Sequence, residues 1–83
     1  MIKILEFDYL GNGCLELTFS DGARGIFNVW SYCSTRHGPL LEPLQSESYI
    51  KRCFIDIGAL GWPNGLELSP TRLYELCEIK KAA

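Results

Sequence analysis

The chain is poor in histidine and has no surplus of positive charge. One histidine, His37, is present, and 8 lysines and arginines stand against 10 acidic residues, for a net charge of −2. Nucleic-acid affinity depends on neutralising several phosphates with Lys and Arg, so direct DNA or RNA binding is not expected. Lys51-Arg52 and Lys80-Lys81 are the only adjacent cations, and both pairs are expected at solvated helix ends. No segment approaches the roughly 20 apolar residues a helix needs to cross a bilayer. The opening MIKILEFDYL lacks the apolar core of a secretory leader, so the expected compartment is the cytoplasm, with no membrane partner.

The four cysteines, Cys14, Cys33, Cys53 and Cys77, include no CxxC pair, which argues against a zinc ribbon or a thioredoxin-type redox site. Cys33 and His37 are the one close Cys/His pair, and a metal site would need two more ligands from elsewhere. Neither the GxGxxG pattern nor the phosphate-binding loop occurs. No metal and no cofactor is expected, and the thiols are expected to serve as small apolar side chains.

Hydrophobic residues are plentiful. They make up 47% of the 83 residues, with aromatics at 12%, enough for one packed domain spanning 1–83. A chain this short buries roughly 60% of its unfolded surface, a thin margin that small domains often widen by dimerising.

Residues 2–9 read as a strand in which Leu5, Phe7 and Tyr9 alternate with Glu6 and Asp8, and the opposite phase of Ile2 and Ile4 predicts a bulge near Ile4-Leu5. Gly11-Asn12-Gly13 predicts a hairpin, because Gly and Asn tolerate positive φ. Residues 14–19 alternate cleanly, and Asp21-Gly22 closes a second hairpin into a strand over 23–30. That strand places Phe27 and Val29 on one face and Ile26 and Trp30 on the other. A sheet apolar on both faces needs two covers, supplied by the chain's own helices or by a second subunit, and the second choice makes a homodimer.

Residues 31–45 are broken by Gly38, Pro39 and Pro43 and read as a helical turn and an irregular connection. Ser46 is expected to cap a short helix carrying Tyr49 and Ile50. Cys53, Ile55 and Ile57 alternate with Phe54 and Asp56 as a fourth strand, and Leu60-Gly61-Trp62 form a short fifth. In WPNG, Pro63 and Asn64 suit the central positions of a turn, and Gly65 the left-handed angle that follows. Ser69-Pro70 reads as a helix start, with Leu73, Leu76 and Cys77 on the inner face and Lys80-Lys81 at the end. The expected fold is α+β: an antiparallel β-meander of three strands plus a short β-hairpin, with a short helix and a C-terminal helix.

Two motifs carry a family resemblance. Leu17-Thr18-Phe19-Ser20-Asp21-Gly22 is similar to the hairpin of Domain of Unknown Function 2442, a bacterial family. Trp62-Pro63-Asn64-Gly65, then Leu68-Ser69-Pro70 and Leu73-Tyr74, resembles its second signature, and Pro43-Leu44 matches as well. Where the family often has Ala-Asp after the turn and an acid after the second proline, this chain has Leu66-Glu67 and Thr71. The resemblance implies a small α+β domain without established catalytic activity, sometimes paired with another small domain in suspected toxin–antitoxin or stress modules.

For chemistry, a nucleophilic pair of Cys33 and His37 competes with a solvated loop histidine, and an Asp21–Glu67 carboxylate pair competes with a turn residue and an exposed strand residue. Neither makes the chain an expected enzyme. The expectation is a non-catalytic protein-interaction or regulatory module. A nucleic-acid-associated regulator, a small-ligand-binding protein and an enzyme are the alternatives. Tyr32, Arg36, His37, Trp62 and Asn64 are the candidate partner-binding residues, since large aromatics and arginine dominate interfaces. For Trp62 the competing place is the core.

Overall fold

In the computed structural model, residues 1–80 are described, so Lys81 lies outside the described residues. The chain runs β1 (Ile4–Gly11), β2 (Cys14–Phe19), β3 (Arg24–Asn28), α1 (Val29–Ser34), a 3-10 turn (Glu42–Gln45), α2 (Glu47–Ile50), β4 (Phe54–Asp56), β5 (Ala59–Gly61), β6 (Glu67–Leu68), α3 (Pro70–Leu76) and β7 (Glu78–Lys80). One antiparallel sheet has the order β1-β2-β3-β7 and the other β4-β5-β6. The α+β class stands, and each sheet has one strand more than the sequence spacing indicated. Helix α3 stops at Leu76, and β7 pairs with β3 from Arg24 opposite Lys80 to Ile26 opposite Glu78. Lys80 therefore lies on a strand and not at a helix end.

Turn chemistry sets the first sheet. Gly11 pairs with Cys14, leaving Asn12 and Gly13 as a two-residue turn with φ of 53° and 75°, the mirror-image type that matches strand twist. Gly13 has a second constraint: a Cβ there would meet the Trp30 ring at 2.4 Å. The β1–β2 register shifts between Ile4 and Glu6, where Leu5 bulges outward at 56% exposure while Ile4 turns inward. Leu5 thus falls out of the alternation with Phe7 and Tyr9.

Strand β3 ends earlier than the apolar pattern implied. The Asn28 side chain accepts from the Ser31 amide and caps α1, so Val29 and Trp30 are helical. Trp30 leaves the second sheet face, and its indole donates to the Leu44 carbonyl at 3.0 Å. The two-faced strand that motivated a homodimer thus retains only Ile26 on its outer side. Strand β4 is also shorter than expected. Ile57 is 90% exposed and shares the β4–β5 turn with Gly58 at φ of 50° and 81°, so it is a turn residue and not part of the strand.

The core lies between the inner face of the first sheet and the chain from the 3-10 turn through α3. Leu15, Leu17, Phe19 and Phe27 from the sheet join Leu44, Ile50, Leu60, Trp62 and Leu73, all essentially sealed from solvent. At about 25 cal/mol per Å² of apolar area, each such side chain contributes roughly 1.5–3 kcal/mol on burial. Ser69 caps α3 by accepting from the Arg72 amide at 3.1 Å. Ser46 occupies the equivalent place before α2, but its hydroxyl pairs with Ser48 and makes no cap bond.

Candidate functional site

The motif residues are engaged inside the fold. Trp62 is 1% exposed and its indole donates to the Ile50 carbonyl at 3.2 Å. It offers no surface to a partner, which corrects its place among the candidate binding residues. The Gly65 amide donates to the Trp62 carbonyl at 3.0 Å and closes the WPNG turn. Asn64 is tied from both ends: its backbone amide donates to the Tyr49 hydroxyl, its side-chain amide to the Leu40 carbonyl, and its side-chain oxygen accepts from the Leu66 amide. Asn64 is therefore a clip between the turn and the loop at Leu40.

The other motif meets α3. Tyr74 donates to Asp21 at 2.7 Å and sets its ring edge against Phe19, while Asp21 also accepts from the Ala23 amide. Glu67 is far from that pairing in role. Its neighbour is Asp56, whose hydrogen bond and then charge hold the Glu67 carboxyl above its ordinary value. No Asp21–Glu67 carboxylate pair forms: Asp21 is a turn residue bonded to Tyr74, and Glu67 is an exposed strand residue beside Asp56.

Tyr32 and Arg36 are brought together on α1 and the residues after it. The Arg36 guanidinium lies over the Tyr32 ring at 4.1 Å, and its Nη1 donates to the Tyr32 carbonyl and to Thr35 Oγ1. This cation–π contact holds the arginine against the helix end, where its charge also complements the last carbonyls. Tyr32 in turn packs edge-on against Phe27 at 5.5 Å between centroids. His37 is exposed and borders, with Cys33 and Arg36, a depression of about 250 Å³.

Two further depressions border the same helix. A groove of about 560 Å³ runs between α1 and the end of α3, with Ile26, Phe27, Tyr32 and Leu76 as its apolar lining and Ser31 and Arg36 among its polar residues. The other, of about 320 Å³, lies among Trp30, Cys33, Ser34 and Gln45. Ile26, Leu76 and Ser31 were not among the sequence candidates. The sequence signal that leads to them is Asn28 before Val29-Trp30-Ser31, a helix cap inside an apolar run.

All four cysteines are free thiols. Burial pushes Cys53 and Cys77 up to about 11, and Cys33 is also raised by burial, partly offset by Arg36. A thiol raised in this way stays protonated at neutral pH and is a poor nucleophile. Among the described residues, no group of three or more His, Cys, Asp or Glu side chains is placed to hold a metal ion, and no helix is long and apolar enough to cross a membrane.

The family model described as "Protein of unknown function (DUF2442)" matches residues 4–78. No curated protein and no solved structure matches the chain.

Proposed function

This chain belongs to the DUF2442 family, and from its surface we propose that it acts by binding a protein partner through α1 and the loop that follows, residues 31–42. The observation that carries this reading is the arrangement around α1: the Tyr32–Arg36 stack lines the groove beside Leu76, and Arg36 also borders the depression at His37. Aromatic and arginine side chains held rigidly beside apolar hollows are the usual anchors of protein interfaces. Exposed His37 and Leu40 extend that surface along the loop. The raised Cys33 thiol supports a non-catalytic role for the Cys33–His37 neighbourhood.

On this reading the protein works in the bacterial cytoplasm as one member of a small two-protein regulatory module, of the toxin–antitoxin or stress type that the family resemblance implies. Self-association belongs to the same reading and rests on the half-buried, uncovered Ile26 side of β3. Sedimentation equilibrium at tens of micromolar measures it, and a monomer there removes the homodimer.

A tagged pull-down from nuclease-treated host lysate tests the main reading. A stoichiometric second protein is expected with the native chain and not with Tyr32→Ala/Arg36→Ala, nor with Arg36→Ala alone, which leaves the Tyr32–Phe27 packing in place. Equal recovery by native and variant chains would remove the loop from the interface.

A further inference from the structure

The groove between α1 and the end of α3 has a chemistry more specific than a general contact surface. Its exposed apolar surface comes from Ile26 and Leu76, with the buried Phe27 beneath. Leu76 is 37% exposed although it sits on the inward side of the helical spacing, because α3 ends there and β7 begins only at Glu78. Strand β7 pairs with β3 no further than Ile26. Beyond that point β3 has no strand beside it on this side, and the groove occupies the gap.

The polar residues at its rim are mostly donors. Arg36 makes two hydrogen bonds, both from Nη1, so Nε and Nη2 have no partner among the described residues. The Ser31 hydroxyl and the Asn28 side-chain amide nitrogen also have no partner among the described residues, since Asn28 uses only its oxygen, toward the Ser31 amide. Among the described residues, no carboxylate lines the groove. An apolar trough of about 560 Å³ with one guanidinium and two neutral donors is complementary to an apolar group that carries a single negative charge. A carboxylate suits it because it can take two parallel bonds from one guanidinium. A phosphate dianion would need a second cation, and among the described residues Arg36 is the only cationic one in the lining.

We propose that this groove receives a segment of a protein partner in which a large apolar side chain sits beside an acidic one, the apolar group on Ile26 and Leu76 and the carboxylate on Arg36. The proposal rests on the protein-binding reading of α1 and names the chemistry of its partner. It also gives the Tyr32–Arg36 stack a purpose: Nη1 is fixed to the helix end, and the rest of the guanidinium is held ready for the carboxylate.

The test is a titration of the isotope-labelled full chain with N-acetyl-Glu-Phe-amide and with its N-acetyl-Gln-Phe-amide counterpart, followed by amide chemical shifts. The acidic peptide is expected to shift Phe27, Ser31, Arg36 and Leu76 together, and the Gln peptide to bind about tenfold more weakly, the worth of a charge-assisted bond. In Arg36→Gln the two peptides should bind alike. Equal affinity of the two peptides for the native chain, no binding by either, or shifts elsewhere would overturn the proposal. So would much tighter binding of 3-phenylpropionate than of the peptide, which would make the groove a small-acid site. If the peptides fail while Arg36→Ala still abolishes pull-down, the groove chemistry is wrong and the α1 surface stands. If Arg36→Ala has no effect in either experiment, the α1 reading itself fails.

Discussion

The WPNG corner and the α1 end are neighbours in composition but opposite in use. Both gather aromatic and polar residues around a short turn or helix. At the corner, the Trp62 ring is sealed in the core and both ends of the Asn64 amide are bonded within the chain. At α1, Tyr32 stays half-buried, and part of the Arg36 guanidinium has no partner among the described residues, beside open grooves. A dense group of special residues marks a site only when some of their bonding capacity is left for another molecule. The corner that looks most like a signature is the one that holds the fold.

Substitutions can break that contrast. Trp62→Ala is expected to have the largest effect, about 3–5 kcal/mol lost from a cavity that its neighbours cannot fill, a large part of the 5–15 kcal/mol typical of a whole domain. Urea denaturation measures it, and a loss below about 1 kcal/mol would mean that Trp62 does not anchor the core. Asn64→Ala should cost about 1–2 kcal/mol, since the turn loses its side-chain bonds to Leu40 and Leu66.

Glu67→Gln should act in the opposite sense, with the smallest effect. Asp56 raises the Glu67 carboxyl above its unfolded value, so the folded state holds that proton more tightly. Stability therefore falls as pH rises from the unfolded value through the folded one, and the repulsion persists above it. The variant should melt slightly higher than the native chain at pH 7, and the gain should vanish near pH 3, where the Glu67 carboxyl is itself neutral. An equal gain at both pH values would assign it to something other than charge.

Much of the fold is legible in the sequence where local chemistry decides. Asn12-Gly13, Asp21-Gly22, Pro63-Asn64-Gly65 and Ser69-Pro70 announce their turns and cap, because positive φ and free amides have few solutions. The misread positions are those where one residue tips an ambiguous pattern. Asn28 converts the apparent end of a strand into a helix, and Ile57 takes a left-handed turn position that its branched side chain disfavours. β7 was hidden because Cys77-Glu78-Ile79 continues a helical spacing, while pairing with β3 requires the extended form. The groove follows from both errors, since Asn28 starts one wall and the stop at Leu76 opens the other.

The most direct test sets Arg36→Gln beside Asn64→Ala and measures, for each, the urea midpoint and the retention of the captured partner by the folded fraction. The account predicts that Arg36→Gln keeps its midpoint within the equivalent of about 1 kcal/mol and loses the partner. It predicts that Asn64→Ala lowers the midpoint and keeps the partner. Retention of the partner by Arg36→Gln, or its loss by fully folded Asn64→Ala, would contradict the division between a corner that builds the fold and a helix end that binds.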